Sequence, residues 1–127
     1  MEREVIASTG APAAIGPYAQ AIRVGQFVFC SGQIPLDPAT GEIVGDDVAT
    51  QTRRVFRNLA AVLDAAGTSL GNVVKTTVFL QNLDDFSAMN LAYAEFFMVS
   101  PPARSTVEAA RLPRGALVEI EAIAQVP

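Results

Sequence analysis

The sequence has no histidine, no tryptophan and a single cysteine, and only 17% of its 127 residues are charged, against about 25% in a typical soluble domain. Without histidine there can be no Ser-His-Asp triad, no Cys-His dyad, no imidazole base and no zinc cluster of the usual kinds. No metal or cofactor is expected. One cysteine cannot form an intrachain disulfide, which fits a reducing compartment. Cys30 lies in the apolar run Phe27-Val28-Phe29-Cys30 and reads as buried filler. No apolar run approaches membrane-spanning length, and none follows Met1-Glu2-Arg3-Glu4. Neither a signal peptide nor a membrane partner is therefore expected, and the cytoplasm is the expected location. Nine basic residues against thirteen acidic give a net charge of -4. That balance argues against nucleic-acid binding by phosphate neutralisation.

What is present is apolar. Half the residues are hydrophobic, so the chain is not disordered, and its length suits a single domain over residues 1–127. A chain of this size buries roughly two thirds of its surface on folding. The remaining surface has little charge to coat it, a first sign of an oligomer. Gly and Pro divide the chain into short elements without repeats or linkers. Val5 to Ser8 reads as a short edge strand. Ala19 to Val24 and Phe27 to Ser31 read as a hairpin about Gly25-Gln26. A helix begins at a cap on Asp46 or Asp47 and carries Val48, Val55, Phe56, Leu59, Val62, Leu63 and Ala66 at helical spacing, with Gly67 as its stop. Asn72 to Leu80 is rich in β-branched residues. A second helix, capped near Asp84, presents Phe86, Met89, Tyr93, Phe96 and Phe97. Ala103 to Glu108 and Leu117 to Ala124 read as the last strands. Two helices cover one face of such a sheet. Neither face of the middle strand is cleanly polar, so partner subunits are the simplest cover for the other.

Two of the charged residues within these strands stand out by their position. Arg104 follows Pro101-Pro102-Ala103, and Glu119 lies within Leu117-Val118-Glu119-Ile120-Glu121. If the two strands form a hairpin about Arg111 and Leu112, Arg104 lies nearly opposite Glu119 on one sheet face. A cross-strand ion pair would account for that placement, and so would a binding site. Tyr18, after Gly16-Pro17, and Ser31-Gly32-Gln33, at a strand end, fit either turn chemistry or a backbone that a ligand can approach. Asn90 interrupts the apolar stripe of the second helix.

Together these segments resemble a known family. Ile15-Gly16-Pro17-Tyr18, Ser31-Gly32-Gln33-Ile34-Pro35, Val74-Lys75-Thr76-Thr77-Val78-Phe79, Asn90-Leu91-Ala92-Tyr93 and Pro102-Ala103-Arg104-Ser105-Thr106-Val107, with Val118-Glu119-Ile120 at its distance, are similar to the Rid (reactive intermediate deaminase, YjgF) family. The resemblance spans essentially the whole chain. It implies a chorismate-mutase-like α+β fold, a mixed sheet with two helices on one face, assembled as a homotrimer around a central barrel with ligand clefts between subunits. It also implies hydrolysis of 2-imino acids, or of enamines such as 2-aminoacrylate, to 2-oxo acids and ammonia. On that resemblance Arg104 holds the substrate carboxylate, Glu119 handles the water, and Tyr18, Ser31, Gly32, Asn90 and the backbone at Thr106 line the cleft. Many deaminating members carry Cys where this chain has Thr106. That substitution is harmless if only the backbone there is used. Two other readings stay open: a non-catalytic trimer that binds small carboxylates or ketones as a sensor or regulatory partner, and a chaperone-like or RNA-cleaving role, of which the charge and the missing histidine disfavour the RNA cleavage.

Overall fold

The computed structural model describes residues 1–127 as one mixed six-stranded sheet with two helices. The strands are β1 (Arg3–Ile6), β2 (Ala21–Val24), β3 (Phe27–Gln33), β4 (Val73–Leu80), β5 (Ala103–Glu108) and β6 (Val118–Gln125), and the helices are α1 (Val48–Ala65) and α2 (Phe86–Ala94). Their order across the sheet is β1-β2-β3-β6-β4-β5. All pairings are antiparallel except β4 with β5.

Local chemistry explains each element. Gly25 (φ 59) turns the β2–β3 hairpin at the expected place. Asp47 caps α1, one carboxylate oxygen accepting from the Thr50 amide at 2.9 Å and the other from the Thr50 hydroxyl at 2.8 Å. Gly67 ends that helix in the left-handed region, φ 84, where a side chain would be strained. Helix α2 starts differently from the expectation. Asp84 does not cap it; Asn82 caps the short turn ahead of it, its side-chain oxygen accepting from the Asp84 amide. Phe96 and Phe97 lie beyond the end of α2. They fold back onto Phe56, whose ring meets Tyr93, Phe96 and Phe97 at 5.3, 4.8 and 5.4 Å.

The apolar stripe of α1 packs on one face of the sheet. Val55, Phe56, Leu59, Val62 and Leu63 are fully buried, as are Val28, Val78, Leu80, Val118 and Ile120 from the strands. Each such side chain contributes about 1.5–3 kcal/mol on burial. The opposite face has no cover within the chain. Phe27, Phe29 and Val107 are exposed there, beside Lys75, Thr77, Phe79, Glu119 and Glu121. It is mixed and not cleanly polar, as the sequence pattern suggested.

One expectation about topology fails. Strands β5 and β6 do not form a hairpin, because β4 lies between them. The connection from β4 to β5 passes through α2, and a helical crossover returns the chain parallel to the strand it left.

Candidate active site

The register of β5 fixes the first group of residues. Arg104 aligns with Thr76 and Thr106 with Val78. Thr76 and Val78 are buried beneath the helices, so Arg104 and Thr106 share the helix-covered face, on the outermost strand. The Arg104 guanidinium carbon lies 4.7 Å from the Tyr93 ring centre and 5.5 Å from that of Phe86. The Tyr93 hydroxyl bonds the Thr76 hydroxyl at 2.7 Å, which fixes the ring. Burial raises the Tyr93 phenol above its ordinary value, against weaker lowering by Thr76 and Arg104. At neutral pH it is a neutral, aromatic support for the cation.

Phe86, Asn90 and Tyr93 follow the i, i+4, i+7 spacing of a single helix face, so Asn90 faces the same strand as the two rings. Its side-chain oxygen is buried and unpartnered, and so is the Thr106 hydroxyl. Unpaired buried polar atoms are rare and costly in folded chains. Arg104 itself is held by rings rather than by a carboxylate. The chain's one ion pair is Arg53–Glu95. A guanidinium with free donors beside two orphaned polar atoms suits a small carboxylate with a polar substituent.

The second group gathers where β3 ends and β6 begins. The β3–β6 register shifts between Cys30 and Gln33, which places Ser31 and Gly32 in a bulge. A Cβ at Gly32 would collide with the Glu119 carboxylate. Close approach, not backbone conformation, therefore favours glycine here, since any side chain would have to displace the Glu119 carboxylate. Glu119 aligns with Phe79 and lies on the open face, half-buried. Burial, reinforced by neighbouring Glu121, raises its carboxyl above the ordinary 4.5. Ser31 donates its hydroxyl to the Ala19 carbonyl at 2.6 Å. It thereby anchors the loop that carries Tyr18 instead of offering that hydroxyl to a guest. Gln20 pins the same loop through Ser8, Ala11 and Pro12. Tyr18 is exposed, and its hydroxyl accepts weakly from the Ile15 amide at 3.4 Å. Tyr18 and Gly32 line a cavity of about 160 Å3 together with Ile15, Ile34, Leu36 and Arg114.

Arg104 and Glu119 therefore do not meet as the hairpin expectation required. They stand on opposite faces of the sheet, with β4 between their strands. Of the sequence candidates, Arg104, Asn90 and Thr106 come together, and Tyr18, Ser31, Gly32 and Glu119 come together. None of the chain's cavities is lined by Arg104, Asn90, Thr106 or Glu119. The sequence reading placed Phe86 and Tyr93 in the core stripe and assigned Arg114 to no site. The spacing of Phe86 and Tyr93 around Asn90 was the available signal for the first two. No group of three or more His, Cys, Asp or Glu side chains converges anywhere in the chain.

Comparison with known proteins places the chain in a family. The family described as Endoribonuclease L-PSP matches residues 8–126. A RutC family protein of Pyrococcus abyssi is 56% identical over 124 residues, 98% of each chain. The 2-iminobutanoate/2-iminopropanoate deaminase of Salmonella typhimurium is 50% identical over 124 residues, 95% of this chain and 96% of its own. The crystal structure of Escherichia coli TdcF with bound serine superposes with a TM-score of 0.92 at 46% identity, covering 96% of this chain and 98% of that one. Near-complete coverage on both sides, with the residues around Arg104 and Gly32 inside the matched span, leaves one conclusion: the chain belongs to the Rid (YjgF, endoribonuclease L-PSP) family.

Proposed function

We propose that this protein is a homotrimeric deaminase that hydrolyses 2-imino acids and their enamine tautomers to 2-oxo acids and ammonia in clefts between subunits. The observation that carries the reading is Arg104, a guanidinium seated on two aromatic rings, without an ion-pair partner, beside the orphaned oxygens of Asn90 and Thr106. Relatives from Salmonella and mouse are named 2-iminobutanoate/2-iminopropanoate deaminases. The E. coli neighbour was crystallised with serine, a small molecule bearing the carboxylate that Arg104 suits.

The separation of the two groups supports the trimer. Arg104 and Glu119 lie on opposite sheet faces, so a cleft using both draws one from each of two chains. The exposed Phe27, Phe29 and Val107 on the open face supply apolar area for such an assembly.

The chemistry asks little of the protein. The substrate carboxylate pairs with the Arg104 guanidinium. The C=N carbon of the iminium, already electrophilic, accepts the oxygen of a water whose proton passes to Glu119. The carbinolamine receives that proton on nitrogen, the C–N bond breaks with its electrons leaving on nitrogen, and ammonia departs. The remaining hydroxyl gives its proton back to Glu119 as its oxygen becomes the ketone, and that proton passes to the ammonia or to solvent. A carboxylate raised by burial is a stronger base than an exposed one and can return the proton. No covalent bond to the protein forms, so a threonine at position 106 suffices where its backbone and hydroxyl only receive hydrogen bonds.

The test is release of ammonia and 2-oxo acid from 2-aminoacrylate generated in situ, for the protein and for Arg104→Ala. A rate above the buffer blank that Arg104→Ala abolishes supports the enzyme. A blank-level rate with 2-oxo acid binding retained supports a non-catalytic binder instead.

A further inference from the structure

We infer that Arg114 is a specificity-determining residue of this cleft, selecting 2-imino and 2-oxo acids whose side chain ends in a second carboxylate. The inference rests on the deaminase reading for its reaction but not for its binding test.

Three observations converge on Arg114. Its backbone is in the left-handed region, φ 60 and ψ 17, and it is the chain's one non-glycine residue with positive φ. A side chain there crowds the backbone, and such outliers concentrate where geometry serves a ligand. Glycine would relieve the crowding, and glycine occupies the next position, 115, at φ 70. An arginine is kept at 114 nonetheless. Second, Arg114 is the one formally charged residue among the ten that line the 160 Å3 cavity with Tyr18 and Gly32; most of the others are apolar. Third, its guanidinium is exposed and, like those of Arg3, Arg57, Arg104 and Arg111, makes no hydrogen bond or ion pair within the chain, so it is free to meet a ligand. Arg23, Arg53 and Arg54 donate to oxygens of the Gly25 and Ala66 carbonyls, the Glu95 carboxylate and the Asn58 amide. Arg114 donates to none, and the chain's one ion pair lies elsewhere.

The location gives this cation its meaning. Gly32, on the cavity wall, is the residue that abuts the Glu119 carboxylate. A substrate whose reacting carbon lies over Glu119 therefore extends its side chain toward Tyr18 and Arg114. An apolar side chain contacts Ile15, Ile34 and Leu36 but leaves the guanidinium unused. A side chain ending in a carboxylate fills the same space and pairs with it. It also meets a cation that offsets repulsion from Glu119.

The experiment compares the protein with Arg114→Gly, which suits the left-handed backbone and should fold, and with Arg114→Lys. Calorimetric titration with 2-oxoglutarate and 2-oxobutyrate reads binding without turnover. Arg114→Gly should weaken 2-oxoglutarate about tenfold more than 2-oxobutyrate, the size of one charge-assisted contact. Arg114→Lys should recover part of that difference. In turnover, with imines supplied by an amino-acid oxidase, the ratio of kcat/KM for the glutamate-derived imine to that for the 2-aminobutyrate-derived imine should fall by a similar factor. Equal weakening of both ligands overturns the assignment, and so does failure of the unmutated protein to bind 2-oxoglutarate. If neither imine yields ammonia above the blank while the binding difference holds, the deaminase reading fails and the Arg114 assignment stands.

Discussion

The two faces of the sheet obey the same alternation of side chains and meet different fates. On the covered face, Val78, Leu80, Val118 and Ile120 close against Val55, Phe56, Leu59 and Leu63 with nothing left exposed. On the open face, Phe27 and Phe29 keep nearly half their surface in solvent, at 44% and 47%. The covered face completes the fold, and the open face has no cover within the chain. The site residues divide between them. Arg104 borrows rigidity from α2 on the covered face, whereas Glu119 gains partial burial and a raised pKa on the open one. On the proposed deaminase reading, binding the acid and delivering the water therefore draw on both faces.

The sharpest way to break this contrast is to damage each face in turn. Phe56→Ala, on the covered face, should cost about 3–5 kcal/mol of folding stability, read as a shift in the urea midpoint. Phe29→Glu, on the open face, should leave the helical circular dichroism intact and reduce the mass in sedimentation from trimer to monomer. A trimer that survives Phe29→Glu would place the interface elsewhere. Next in size is Glu119→Gln, which should slow turnover by about a hundredfold, the lower end for a general base, while sparing 2-oxo acid binding. The unmutated enzyme should lose kcat/KM on acidification at a pH above 4.5, the ordinary glutamate value, and the variant should lack that limb. Stability should respond with the opposite sign. A carboxyl whose folded value is raised contributes stability below its ordinary value and loses it as pH rises through the folded one. Glu119→Gln should therefore be more resistant to urea than the parent at neutral pH, and the advantage should vanish in acid. Arg104→Lys follows, with about a ten- to hundredfold loss of kcat/KM as the bidentate grip disappears. An unchanged value would put the carboxylate anchor at another residue.

The sequence revealed most of the fold because its signals were local. Asp47 and Gly67 bracket α1, Gly25 marks the hairpin, and the strands carry β-branched residues with period 2. It misled where pairing is non-local. Nothing in Ala103 to Glu108 or Leu117 to Ala124 says that β4 will insert between them, and neighbours in sequence were taken as neighbours in space. The hairpin expectation put Arg104 and Glu119 on one face when the sheet separates them. The role of Tyr93 was hidden for a different reason. A buried aromatic at helical spacing reads as core, and Tyr93 does pack on Phe56 while its ring also supports Arg104. Arg114 gave no sign at all, since left-handed backbone at an arginine cannot be anticipated from the residue itself.

The smallest expected effect tests whether α2 belongs to the site or only to the core. Phe86 is 40% exposed, yet its ring lies under the Arg104 guanidinium. Core packing alone would make Phe86→Leu nearly silent, because a half-exposed ring contributes little and leucine keeps most of the contact. If the ring orients the cation, the substitution should remove about 0.5–1 kcal/mol of support. That corresponds to a two- to fivefold rise in KM, with kcat and the urea midpoint close to those of the parent. Added salt should accentuate the rise, since a less constrained guanidinium competes less well for the substrate carboxylate against free anions. A loss confined to stability, with KM unmoved, would assign Phe86 to packing and leave Tyr93, at 4.7 Å, as the ring that matters.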